Sequence, residues 1–246
     1  MTARARRRGR SRGMYGAGAG CGAPCGGGGG RGGCACGAGG RTRGGGSGWL
    51  IAIPVCVGIW LVQNGSEPVT PPMPTAAEAF AAGPGSHTEA AAAPMRPSAP
   101  VRLSIPEIKV NAQVLGLGLG RDGSLDVPPP VIRNIVGWYK DGATPGAKGT
   151  AVVAGHVDNA QGPAVFYELG TLKKGHHIEV TRADGRTAVF TVDALEVYNN
   201  AEFPDRKVYG ATDRAELRVI TCGGGFSKKG GYQGNVVAYA HLIGTK

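Results

Sequence analysis

From residue 101 onward, apolar and polar side chains alternate over short runs, each closed by Gly, Pro or Asp-Gly. A two-residue period of this kind marks strands that turn one face to a core. The runs predict strands over 102–105, 112–117, 135–138, 150–155, 177–181, 187–197, 217–221 and 236–242, with a hairpin turn at Ala183-Asp184-Gly185-Arg186. Only 164–172 carries a helical spacing, and only briefly. Eight short strands at this spacing predict an all-β, eight-stranded barrel with one or two short helices, in which sites gather at strand ends and loops. The stretch 101–246 is a normal length for one domain with a single core.

Upstream the pattern changes three times. Between Arg43 and Glu67 no side chain is charged, and the apolar run from Trp49 to Val62 has a Trp near each end. With its Gly and Ser flanks it reaches the length needed to cross a bilayer, so 44–65 is expected to be a single transmembrane helix. Residues 66–100 hold Pro-Pro-Met-Pro at 71–74, Ala runs and Gly83-Pro84-Gly85, the composition of a linker of mixed stiffness. Residues 1–43 are Arg, Gly and Cys with little to bury, and are expected to be disordered.

Charge follows the same division. The formal net charge is +10, but residues 1–65 hold nine Arg and no acid, whereas 101–246 hold seventeen Lys and Arg against fourteen Asp and Glu. The folding part is only mildly basic and lacks a basic stripe interleaved with aromatics, which argues against nucleic acid as a partner. These nine Arg all precede the apolar run, which places the N-terminus in the cytoplasm and the domain outside the cell membrane. Cys21, Cys25, Cys34 and Cys36 have a C-x3-C-x8-C-x-C spacing that matches no standard zinc knuckle. Neither a metal nor a cofactor is expected.

The domain from 101 has one cysteine, Cys222, so no disulfide can form within it. The predicted strand Leu217-Arg-Val-Ile-Thr221 runs into Cys222 and then Gly223-Gly-Gly225, which leaves the thiol beside backbone that a substrate can approach. A nucleophilic thiol needs a base or cation to raise its thiolate fraction. Of His156, His176, His177 and His241, the first ends the apolar strand 150–155 at a Gly-His step, the same placement as Cys222. His176 and His177 follow Lys-Lys-Gly in a turn, and His241 lies on the final strand.

These residues resemble the sortases. Leu217-Arg-Val-Ile-Thr-Cys222 is similar to the sortase Cys strand, and Ala154-Gly-His-Val-Asp158 to the His motif. Leu103-Ser-Ile-Pro-Glu-Ile-Lys-Val-Asn-Ala112 and Gly162-Pro-Ala-Val-Phe166 fit the same pattern, in the family's order. With Cys-Gly-Gly after the strand, the resemblance is closest to the class F sortases of actinobacteria. It implies a sortase barrel in which the Cys222 thiolate attacks an LPxTG-like sorting signal between Thr and Gly. His156 would serve as acid and base, and the thioacyl intermediate would pass to an amine of a peptidoglycan precursor. Partners implied are surface proteins with C-terminal sorting signals, with the membrane engaged through 44–65.

One departure bears on competence. Sortases carry an Arg on the last strand that donates to the substrate carbonyl and its developing oxyanion, and here no Arg occurs after Arg218. Gln233 or Asn235 occupies that region as a neutral donor. Lys228, Lys229 and Arg218 are further candidates, and Asp158 a candidate to orient His156. Two other readings follow: a sortase fold retained for binding peptides without turnover, and an L,D-transpeptidase. The latter usually shows Ser-His-Gly-Cys, which this chain lacks.

Overall fold

The computed structural model describes residues 70–80, 89–120, 124–227 and 230–246. Among the described residues ten strands form in chain order: β1 Pro100–Ile105, β2 Val110–Leu117, β3 Ile135–Tyr139, β4 Gly149–Ala154, β5 Asp158–Asn159, β6 Gly162–Pro163, β7 His177–Arg182, β8 Thr187–Asn199, β9 Ala215–Ser227 and β10 Gly231–Thr245. Eight of them close a barrel in the order β1-β2-β3-β4-β9-β10-β8-β7, and β5 pairs with β6 in a separate small hairpin. The barrel is the one the alternation predicts. Two of its pairings, β2–β3 and β4–β9, are parallel.

Alternation sets the two faces. Leu103, Ile105, Ile178, Phe190, Leu217 and Leu242 point inward and are almost wholly buried. On the outer face, Val152, Ile220, Val237 and Tyr239 make a second cluster with Val208 of α1, Asp205–Tyr209. This helix lies where the sequence pattern suggested only a loop. The helix expected over 164–172 is reduced to a single 3-10 turn, Leu169–Thr171, because Val165, Phe166, Leu169 and Leu172 are all buried and the chain follows the barrel surface.

The largest difference lies before residue 101. The stretch 66–100, read as a linker, packs against the barrel where it is described. Met95 joins the core, its N–H donating to the Gly146 carbonyl at 2.7 Å, while Ala92 N–H donates to the Leu242 carbonyl at 2.8 Å. The buried Arg182 guanidinium donates to the carbonyls of Pro145 and Arg96 and to Asp184. A Pro- and Ala-rich composition conceals this, because the contacts come from backbone groups and one Met rather than from a periodic apolar face. Among the described residues no helix is long and apolar enough to cross a membrane. The anchor read over 44–65 and the tail over 1–43 lie outside them.

Candidate active site

The parallel pair β4–β9 assembles the site. Its register is constant from Gly149 opposite Ala215 to Ala154 opposite Ile220, a separation of 66 residues. The pairing persists one step further, since Gly155 N–H donates to the Ile220 carbonyl at 3.1 Å and Thr221 Oγ1 donates to the Gly155 carbonyl at 2.9 Å. β4 ends at Ala154, two residues before His156, and its partner Ile220 lies two residues before Cys222 on β9. Cys222 shares parity with Ile220 on β9 and so lies on the outer face.

Cys222 does not end its strand, as the sequence suggested. β9 runs on to Ser227, through Gly224 and Gly225 at φ 75° and 95°, values that any side chain would make costly. Cys222 therefore sits inside an antiparallel ladder, half-buried, directly opposite Asn235 of β10. Its sulfur is in a disulfide in this structure, so nucleophilic chemistry belongs to the reduced chain.

Asn235 is 2% exposed, and its Nδ2 donates to Asn200 Oδ1 at 2.8 Å. Asn200 Nδ2 donates in turn to the Tyr232 carbonyl at 3.1 Å. Gln233 is exposed, and a register shift between Tyr232 and Gly234 takes it out of the row that contains Asn235. Of the two candidates at the place of the absent Arg, only Asn235 faces the cysteine's position across the ladder. Lys228 and Lys229 lie outside the described residues.

His156 is held by an unforeseen neighbour. Its Nε2 lies 2.7 Å from the Pro128 carbonyl, which can only accept, so Nε2 carries a proton and Nδ1 is the nitrogen left for proton exchange in the neutral ring. Pro128 belongs to the β2–β3 connection, which is pinned over the β5–β6 hairpin by Asn159 Nδ2 on the Pro130 carbonyl and by Arg133 Nε on the Pro163 carbonyl. Asp158 does not take the orienting role expected for it. Its carboxylate accepts a 2.5 Å hydrogen bond from the Tyr232 hydroxyl, tying the hairpin to β10. Burial, and then this carboxylate, raise the Tyr232 pKa well above that of a free phenol.

Arg218 shares the outer face but serves the strand. It bonds Glu216 Oε2 and the Leu217 carbonyl, and its guanidinium carbon lies 4.5 Å from the Tyr239 ring centroid. Burial pushes the Glu216 carboxyl up, but hydrogen bonds and charge from Arg214 and Arg218 outweigh it and hold the pKa below the usual range. Tyr198, Phe203 and Tyr209 pack on one another, and burial, helped by Asp205, pushes the Tyr209 phenol up to about 12.

A cleft opens at Cys222. Thr221, Cys222, Gly223 and Val236 line it together with Val157, Phe166, Tyr167, Gly170 and residues 71–73. Its lining is mostly apolar.

The sortase domain family model matches residues 103–243. The chain belongs to the sortase family. A sortase is a cysteine transpeptidase, and that activity class is assigned to this chain. Solved sortase structures are similar in fold, at low identity. Sortase A from Listeria monocytogenes is 19% identical, with 61% of this chain and 90% of that one covered and a TM-score of 0.46. Sortase C1 from Streptococcus suis is 16% identical over 60% and 74% of the two chains, also at 0.46. The SrtA sortase from Actinomyces oris is 17% identical over 60% and 81%, again at 0.46. No curated protein sequence matches this chain.

Proposed function

We propose that the chain is an exported sortase of the class F kind, anchored by 44–65. In this reading it cleaves an LPxTG-like sorting signal between Thr and Gly and transfers the acyl product to a cell-wall amine. The observation that supports this reading is the parallel β4–β9 register, whose last pair, Ala154 and Ile220, lies two residues before a histidine on one chain segment and two residues before the domain's one cysteine on the other. The Cys222 thiolate attacks the Thr carbonyl carbon, and the tetrahedral adduct collapses to a thioester as the Gly nitrogen leaves with a proton from His156. An incoming amine gives its proton back to His156, attacks the thioester and regenerates the thiolate. Asn235, opposite Cys222, supplies the neutral donor nearest the developing oxyanion.

The test uses the reduced full chain with fluorogenic LPxTG and LAxTG peptides and an amine acceptor. Turnover with transfer to the amine is expected, and Cys222→Ala and His156→Ala each abolish it. A folded chain that binds the peptide without turnover, and gains activity as Asn235→Arg, would instead mark a peptide-binding protein on a sortase barrel.

A further inference from the structure

Three prolines in a row, Pro128, Pro129 and Pro130, form the middle of the β2–β3 connection. They have no N–H to donate, and their rings hold three successive φ angles at about −65°, so their carbonyls cannot turn independently of one another. Each carbonyl accepts from a different group. Pro128 accepts from His156 Nε2 at 2.7 Å, Pro129 from Ile132 N–H at 3.1 Å, and Pro130 from Asn159 Nδ2 at 2.8 Å. The Pro129 bond closes a turn within the connection itself, and the other two reach across to the segment that carries His156.

The backbone of that segment is fixed without the prolines. The His156 carbonyl accepts from Phe166 N–H at 3.0 Å, and the Val157 carbonyl accepts from Ala164 N–H at 2.9 Å. These bonds leave open the rotation of the imidazole and the choice of which nitrogen carries the proton. A carbonyl set against one ring nitrogen settles both. The position of that carbonyl is itself held by two side chains. Asn159 uses both ends of its amide, Nδ2 on the Pro130 carbonyl and Oδ1 accepting from Gln161 N–H at 2.9 Å. Arg133, where the connection leaves the prolines, places Nε and Nη2 on the Pro163 carbonyl. Pro128 is buried, whereas Asn159 is half-buried and Arg133 exposed, so this clamp can be cut by substitutions that leave the barrel core intact.

We propose that Asn159 and Arg133 are positioning residues for His156. By clamping the three prolines to the β5–β6 hairpin, they hold the Pro128 carbonyl where it keeps the neutral ring in its Nε2–H tautomer, with Nδ1 as the nitrogen that exchanges protons. This rests on His156 being the acid and base of the proposed reaction. Both residues act through one backbone oxygen rather than on the reacting atoms. An unheld imidazole divides its time between two tautomers and several orientations, so release of the clamp lowers the share of molecules ready to react. That loss appears in kcat and leaves peptide binding as it was.

The experiment compares the reduced full chain, isotope-labelled at the histidine nitrogens, with Asn159→Asp and Arg133→Ala. Asn159→Asp keeps the acceptor for Gln161 N–H but turns a carboxylate oxygen toward the Pro130 carbonyl in place of a donor. Nuclear magnetic resonance at a pH well above the ordinary histidine range reads the tautomer from the two ring-nitrogen shifts, with His156 identified by its loss in His156→Ala. The wild type is expected to show the Nε2–H form alone. Each variant should show a mixture of tautomers, with kcat lower by about tenfold or more and KM within about twofold. Arg133→Lys, which keeps one donor for Pro163, should recover most of the rate. A mixture already present in the wild type, or the Nε2–H form retained in both folded variants, overturns the clamp, and if one variant does not fold the other decides alone. Mixed tautomers with an unchanged kcat overturn the positioning role. A tautomer shift in a chain without peptide turnover would leave the clamp standing and remove the transpeptidase reading, whereas turnover with an unshifted tautomer does the reverse.

Discussion

Across the ladder from Cys222 stands an amide where a guanidinium is the family pattern, and the difference is one of charge as well as reach. Asn235 offers one neutral donor, already committed in part to Asn200 Oδ1, while an Arg offers five in a fixed fork. Asn235→Ala is expected to reduce kcat by about 10²–10³ with little change in KM, the usual cost of one oxyanion donor. Gln233→Ala, one residue outside the row, should leave steady-state kinetics unaltered. Equal losses in both variants would overturn the assignment of Asn235. Sequence inspection could not separate these two residues, because period-2 parity holds only while the strand is regular. The shift between Tyr232 and Gly234 breaks that parity just ahead of the site. Asp158 shows the opposite hazard, since two residues of sequence separation from His156 suggested a contact that the Tyr232 hydroxyl takes instead.

The elements that hold the site are tied to each other by single polar contacts. The β5–β6 hairpin is joined to β10 through Tyr232 and Asp158, and to the β2–β3 connection through Asn159 and Arg133. Tyr232→Phe removes one hydroxyl and keeps the ring against Phe226, 5.2 Å between centroids. It should cost about 1.5 kcal/mol, the lower end for a bond to a charged group, because Asp158 keeps partial access to water. Urea unfolding with an unchanged m-value is the check, and a loss within error would show that the bond does not tie the hairpin. All eight barrel strands were legible from alternation, but their ends were not. β9 and β10 extend well past the apolar runs because Gly223 pairs with Gly234 and, beyond a register shift, Phe226 and Ser227 pair with Tyr232 and Gly231.

At the scale of the whole molecule, the closing contacts run through groups that composition hides. His241 is fully buried, with Nδ1 2.7 Å from Asp193 Oδ1 and Nε2 2.8 Å from the Glu89 carbonyl. Both neighbours accept, so both ring nitrogens are best served by protons. The Asp193 hydrogen bond and charge raise the pKa, helped by the Glu89 carbonyl and opposed by burial and Arg214; Glu216 lies opposite on β9. A raised folded pKa means that this stabilisation is complete below the unfolded value of about 6.5 and fades as pH climbs through the folded one. Denaturant midpoints should therefore fall over that range in the wild type, and the dependence should flatten in His241→Gln. A parallel fall in the variant would assign the effect to other groups. None of this was legible, since a His in an alternating final strand reads as one more surface residue until its two acceptors, one of them 48 residues away, are in place.

Parallel neighbours cannot be joined by a tight turn, so β4 and β9 are linked by everything from residue 155 to residue 214, including β7, β8 and α1. The two reactive side chains thus have no local route to each other. A chain leaving a ribosome N-terminus first presents His156 long before Cys222, and β4 has no β9 to pair with until then. Chemistry at this centre therefore waits on β9, and a chain that has emerged only as far as β8 cannot cleave itself or its neighbours.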